Sequence, residues 1–343
     1  PLIALMRDQV RGLKELGVEA GALTSGNTEE ETDAVWQGLH AGTLKLLYIA
    51  PERLASSGTE RMLRDAGVGL IAVDEAHCVS QWGHDFRPDY LRIGALRRAL
   101  DVPLAAFTAT ADAETRAEII ARLFGDRDPQ VFLRGFDRPN LSLAFEVKNQ
   151  PRRQILDFAA ARKGQSGIVY CGTRAKTETI AAALREAGHS ACHYHGAMEA
   201  DDRRHVEGRF AQEDGLIVVA TVAFGMGVDK PDIRWVAHAD LPKSIEAYYQ
   251  EIGRAGRDGA PADTLTLYGA DDIRFRRQQI DEGLAPPERR SADHGRLNAL
   301  LGLAEALGCR RQVLLGYFGE DAGPCGNCDL CDAPPEVFDA STA

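Results

Sequence analysis

Asp74 and Glu75 stand side by side where a short apolar run, residues 70–73 (LIAV), ends. A run of that length reads as a buried parallel strand, and open α/β sheets place their ligands at the carboxyl ends of their strands. Two adjacent carboxylates with different duties suit phosphoryl transfer. Asp74 would hold Mg²⁺ through water, while Glu75 would position and deprotonate the water that attacks a γ-phosphate. His77, two residues on, would relay nucleotide state onward. Taken alone the pair suits a helix cap equally well, because carboxylates are stabilised at helix N-termini.

The residues that follow favour the chemical reading. Trp82, His84, Phe86 and Arg87 lie among the turn formers Gly83 and Pro88, where a core would not place them. Aromatic faces and a guanidinium stack on nucleobases, an interaction of roughly 1–3 kcal/mol per base that tolerates any sequence. The competing reading is that Trp82 and Phe86 pack under their own loop. If the stacking reading holds, a nucleotide site and a nucleic-acid site are joined by a few residues of chain.

A different chemistry is written near the other end. Cys325, Cys328 and Cys331 follow a C-x-x-C-x-x-C spacing, and Cys309 precedes them by a short helix and turn. Four thiolates around one tetrahedral ion suit structural zinc, whose closed site contributes directly to folding. An iron–sulfur cluster uses a similar run but continues to another cysteine shortly downstream, and none follows Cys331. A disulfide framework does not suit a chain without secretory features. Cys78, Cys171 and Cys192 have no such partners and read as buried or incidental thiols.

Two further segments belong together. Residues 219–230 (VATVAFGMGVDK) end a strand in a Gly-rich turn containing Gly227 and Asp229, and residues 250–259 (QEIGRAGRDG) follow on a helix. Small residues let two domain faces close, so that Arg254 and Arg257 could reach phosphate oxygens from across a cleft. GRAGR by itself is as compatible with a salt-bridged helix surface.

These residues need a scaffold. Residues 44–49, 70–73 and 104–107 are expected to be strands of one parallel sheet, with a helix over 88–100. A second set, 167–171, 216–220, 234–239 and 264–268, alternates with helices over 175–187 and 201–211. Residues 133–139, with Gly135 and Pro139, read as the connection. From about residue 271 the pattern becomes helical, broken at Pro286-Pro287, and residues 334–343 have the composition of a disordered tail. At 343 residues there is room for two domains and an appendage. No apolar run approaches the ~20 residues of a membrane span, and no secretory signal is visible. A formal charge of −11 excludes a wholly basic nucleic-acid coat but not a locally positive cleft.

The order of motifs resembles the RecQ family of DNA helicases. It is carried by PLIALMRDQV, YIAPERL, VDEAHCVSQWGHDFRPDY, FTATA, IVYCGTR, VATVAFGMGVDKPDIRWVAHADLP, QEIGRAGRDG, CRRQVLLGYFGE and CGNCDLC, over nearly the whole chain. The resemblance implies an α/β fold: two RecA-like parallel-sheet domains, the first truncated at its N-terminus, then a small helical zinc-binding subdomain. The implied boundaries are 1–134, 135–270 and 271–333. It implies that Asp74, Glu75, His77, Arg254 and Arg257 are catalytic, with Arg257 the first choice for an arginine finger. Gly227, Asp229, Gln250, Thr108 and Thr110 would bind ATP or couple it to DNA. Trp82, His84, Phe86 and Arg87 would contact DNA, and Cys309, Cys325, Cys328 and Cys331 would hold Zn²⁺. The implied activity is ATP- and Mg²⁺-dependent 3′–5′ unwinding of single-stranded and partly duplex DNA substrates in recombination and repair, in a bacterial cytoplasm near the nucleoid and away from membranes. A non-catalytic DNA-binding relic and an RNA helicase are the alternatives.

Two departures stand out. The sequence contains no G-x-x-x-x-G-K-[ST] phosphate cradle, which the resemblance would put upstream of Pro1. The chain by itself is therefore expected to bind ATP poorly and hydrolyse little. His195-Gly196-Ala197 replaces an expected His-Ala-Gly order without touching a proposed catalytic group.

Overall fold

A computed structural model describes residues 2–335 apart from 57, 81–84, 126, 223 and 225–229. The chain divides into two units, Pro1–Leu133 and Arg134–Ala343.

In the first unit, helix α1 (Leu2–Glu15) leads to strand β1 (Ala20–Leu23), helix α2 (Glu29–His40) and strand β2 (Leu46–Ile49). The start of α2 is set by a capping box in which Thr28 and Glu31 satisfy each other's backbone N–H groups, with three glutamates in the first turn to favour the helix dipole. Helix α3 (Thr59–Asp65), strand β3 (Ile71–Val73), helix α4 (Leu91–Leu100), strand β4 (Leu104–Ala106) and helix α5 (Ala113–Ile119) complete the unit. The expected single sheet is not what forms. β1 pairs with β2 and β3 with β4, both in parallel, as two separate two-stranded ladders. No strand among the described residues joins them, and the residues flanking the pairs stay unusually wet, with Leu70 57% and Phe107 58% exposed. A parallel sheet normally buries both faces; here the core is a smaller cluster of Val73, Cys78, Val79, Tyr90, Ile93 and Leu123.

The second unit is built on one six-stranded parallel sheet. Its elements are strand β5 (Leu141–Val147), helix α6 (Pro151–Ala160), β6 (Gly167–Tyr170), α7 (Arg174–Glu186), β7 (Ala191–Tyr194), α8 (Ala200–Gln212), β8 (Ile217–Ala220), β9 (Trp235–His238), α9 (Ile245–Ile252) and β10 (Ala262–Tyr268). The strand order is β5-β10-β9-β6-β8-β7. The central strands β6, β8 and β9 are buried at every residue, which is why they read in the sequence as unbroken apolar runs. β1, β5 and β7 had no such signal, and the expected strand set omits them. Gly167 is forced by packing: a Cβ there would lie 2.0 Å from the indole of fully buried Trp235.

Four helices follow: α10 (Ala270–Asp281), α11 (Pro287–Ala304), α12 (Arg310–Tyr317) and α13 (Asp329–Asp332). They share the core of the sheet, since Leu297, Leu300, Leu303, Leu314 and Phe318 belong to the same buried cluster as Leu143, Phe145 and Tyr248. The connection is not slack either. The break between units falls within it, but from Phe136 onward it is built into the second unit, where Phe136 stacks on Phe318 with ring centroids 4.4 Å apart and donates its N–H to Glu320.

Candidate functional site

The carboxylate pair sits where the sequence places it, at the end of β3. Phe107 N–H donates to Val73 O and Ala76 N–H to Phe107 O, both at 2.8 Å, so the backbone on either side of the pair is stitched to the strand beside it. Asp74 is exposed and accepts from the Glu75 N–H at 2.8 Å. Glu75 has φ 50° and ψ 44°, left-handed backbone that costs an L-residue roughly 1–2 kcal/mol. Held strain of this kind clusters at functional sites. It turns the chain sharply into a 3₁₀ turn, Ala76–Val79, which buries His77 beneath the carboxylates.

From there polar contacts run onward. His77 Nδ1 lies 3.4 Å from the Glu75 carboxylate and 3.0 Å from Thr108 Oγ1, and Thr108 Oγ1 accepts from the Thr110 N–H at 3.3 Å. Five predicted residues, Asp74, Glu75, His77, Thr108 and Thr110, are thus brought into one network. Arg87 N–H donates to Cys78 O at 2.9 Å, and its guanidinium holds Asp85 at 2.7 Å. Burial works against the Arg87 charge, and the Asp85 carboxylate more than restores it. Phe86 is half-buried beside it. Trp82 and His84 lie outside the described residues, as do Gly227 and Asp229.

In the second unit Gln250 lies on α9 and the arginines on the turn after it. Arg257 is exposed, whereas Arg254 is half-buried against the Tyr170 hydroxyl. Burial raises the Tyr170 hydroxyl to about 12, with Arg254 pulling the other way, so Tyr170 stays a neutral donor to Phe224 O at 3.2 Å. Residues that sequence reasoning missed position this turn. Arg138 donates to the carbonyls of Gly253, Ala255 and Gly256, and Asn140 to those of Gly256 and Ala260. Gly256 has φ 58°, and a Cβ there would meet the Asn140 amide at 2.4 Å. Beneath the helix, His238 bridges Glu251 at 2.9 Å and Thr266 at 3.0 Å inside the core. Arg138 and Asn140 precede the turn by more than a hundred residues, so only their place beside β5 could have revealed them.

The four cysteines converge. Each offers a sulfur within 4.8 Å of the other three. Cys325 and Cys331 sulfurs are 3.9 Å apart, against the ~3.8 Å that two thiolates at ~2.3 Å on a tetrahedral zinc require. Cys309 immediately precedes α12 and Cys328 immediately precedes α13. Burial alone would raise the Cys309 thiol, but N–H groups of Gln312 and Cys325 aimed at its sulfur bring it to about 7. Burial pushes Cys325 up to about 12, with the neighbouring thiols adding to it. Four thiols crowded together cannot all ionise without a cation, and a divalent ion supplies the missing charge. The donor set and spacing fit zinc. Arg310 locks the cluster to its surroundings, gripping Asp329 at 2.7 and 2.9 Å while Asp329 accepts from Phe145 N–H of β5. The other three cysteines are buried; burial lifts Cys78 and Cys171 to about 12 and Cys192 to about 11, which keeps them unreactive.

Comparison with known proteins identifies the family of the chain. Residues 1–119 match the DEAD/DEAH box helicase family, 149–259 the helicase conserved C-terminal domain and 270–332 the RecQ zinc-binding family. The ATP-dependent DNA helicase RecQ of Haemophilus influenzae is 45% identical over 341 residues, covering 99% of this chain and 55% of that protein. The RecQ of Bacillus subtilis is 40% identical, covering 98% of this chain and 58% of its own length. The chain thus spans little more than half the length of these curated relatives. Among solved structures, the helicase MrfA bound to DNA and AMPPNP superposes with a TM-score of 0.64 at 17% identity, covering 94% of this chain and 49% of that one. Dbp5 of S. cerevisiae bound to RNA and ADP BeF3 does so with a TM-score of 0.59 at 16% identity, covering 87% of this chain and 79% of that one. These likenesses speak to the fold.

Proposed function

Because the chain belongs to the RecQ family of ATP-dependent DNA helicases, we propose that it forms the motor part of a DNA-unwinding enzyme and that ATP turnover and DNA contact meet in its first unit. The observation that carries the reading is the polar path from Glu75 through His77 to Thr108 and Thr110. In this reading Asp74, exposed at the strand end, holds Mg²⁺, which supplies positive charge to the phosphates. Glu75, aimed by its left-handed backbone, accepts the proton of the attacking water. His77 senses that carboxylate on one side and Thr108 on the other, so a change at the phosphate side alters the threonine segment. The segment of sequence carrying Trp82, His84, Phe86 and Arg87 takes up single-stranded DNA by stacking and by charge.

Gly227, Asp229 and Gln250 belong to the nucleotide side of the second unit, and Arg257 is the group that meets transition-state charge. Its exposure suits a residue that must reach outward. Arg254 braces the turn against Tyr170. The four cysteines hold zinc, which ties α12 and α13 to β5.

The test is Glu75→Gln in protein made from its complete reading frame. Single-stranded DNA is expected to bind with unchanged affinity, while DNA-stimulated phosphate release falls by about 10²–10⁴-fold and unwinding of a 3′-tailed duplex stops. Full unwinding by the variant would remove Glu75 from catalysis. No ATP turnover by the unsubstituted protein would favour a DNA-binding relic, and preference for matched RNA over DNA would favour an RNA helicase.

A further inference from the structure

One edge of the second sheet carries a cluster that the helicase reading does not use. β7 is one of the sheet's two edge strands. His193 on it and His195 just past it are two residues apart in extended chain, so their rings project to the same side, stacked with centroids 5.5 Å apart and planes inclined by 24°. Helix α7 packs along β7 and brings Glu178 Oε1 to 3.1 Å from His195 Nε2. One ligand atom from each of the three residues lies within 4.8 Å of the other two.

The spacing matters. An ion bonded to nitrogen and oxygen at ~2.0–2.1 Å in tetrahedral geometry separates its ligand atoms by ~3.3 Å. Glu178 and His195 already stand at that separation, and only His193, half-buried, has to swing inward. His195 Nδ1 is buried without a hydrogen-bond partner among the described residues, so without an ion the ring's proton sits on Nε2 and is donated to Glu178, and an ion held between these two atoms takes that proton's place. The Glu178 side chain is 57% exposed, which leaves a way in from solvent and a position for water on the ion. Two imidazoles with one carboxylate suit borderline divalent transition cations; magnesium and calcium prefer oxygen throughout.

We propose that Glu178, His193 and His195 form a second metal site, separate from the four cysteines, that takes a divalent transition cation of the zinc, nickel or cobalt class and fastens the edge strand to α7.

The test starts from chain carrying one equivalent of zinc and adds Co²⁺, followed by calorimetry and visible absorption. One further equivalent should bind with a Kd in the micromolar range, giving the d–d bands of nitrogen and oxygen ligands without thiolate charge-transfer absorption. His193→Gln and Glu178→Gln replace side chains that are not fully buried, so both variants should keep the circular dichroism of the parent while weakening this site at least tenfold. The proposal is overturned by any one of three results: no second equivalent, a spectrum showing only thiolate ligation, or variants that bind cobalt like the parent. Binding confined to millimolar cobalt would equally overturn it, as the mark of scattered surface histidines and an adventitious ion only.

Discussion

Single residues in this chain separate by whether burial or reach governs them. His77 and His238 are both buried and both bridge a glutamate to a threonine, Glu75 to Thr108 in one unit and Glu251 to Thr266 in the other. The two bridges differ in their surroundings. Glu75 is partly open to solvent on strained backbone, whereas Glu251 is closed inside the core, so the first suits a signal and the second a brace. The arginines divide the same way. Arg257 is exposed and Arg254 leans on Tyr170. Arg257→Ala is therefore expected to lower kcat for ATP by at least ~10³-fold while leaving DNA affinity where it was. A normal kcat in that variant, with a collapse in Arg254→Ala, would transfer the role to Arg254.

At the scale of elements, the contact to probe is the charge cluster under the sheet. Asp240, just past β9, is gripped by Lys148 at 2.7 Å and Lys176 of α7, and Lys148 also holds Asp272 of α10 at 2.6 Å. One cluster thus ties the β5 end, α7 and the first tail helix together. Burial works against the Asp240 charge, but the two ammonium groups and the Gly172 N–H outweigh it and hold its carboxyl below the ordinary value. A carboxyl lowered on folding adds stability above its unfolded pKa of ~3.9, and that stability is lost as the pH falls through the lower folded value. Asp240→Asn should cost roughly 2–3 kcal/mol at pH 7, less than the ~3–5 of a fully buried pair because Lys176 keeps 30% of its side chain exposed. Its stability should also fall less steeply than the parent's as the pH drops below the unfolded value of ~3.9. Urea titrations from pH 7 down through that value check both; parallel curves for the two proteins would mean that Asp240 carries no such linkage.

At the scale of the molecule, the zinc module is a second layer on the sheet of the second unit, with a shared core. Removing zinc should therefore loosen more than the tail. Cys328→Ser, at a fully buried position, is expected to release the metal and lower the melting temperature of the whole second unit. Loss of the tail helices alone, with the sheet's transition unmoved, would show that the module folds apart.

The sequence by itself determined the chemistry that lies within a few residues: the carboxylate pair, the C-x-x-C-x-x-C run, GRAGR, and the central strands whose burial on both faces leaves an unbroken apolar run. It also carried the order of motifs that marks the family. Tertiary structure alone decided what depends on contacts across long loops. Arg138 and Asn140 hold a turn more than a hundred residues away, and Arg310 reaches across the segment between α12 and α13 to grip Asp329. The same holds for the division of the first unit into two ladders where one sheet was expected. Strand type follows from local pattern, but strand order and the partners of a buried charge are set by which surfaces the whole fold closes upon. Glu178, His193 and His195 meet for that reason too: two of them alternate on an edge strand, and the third arrives only because α7 packs beside it.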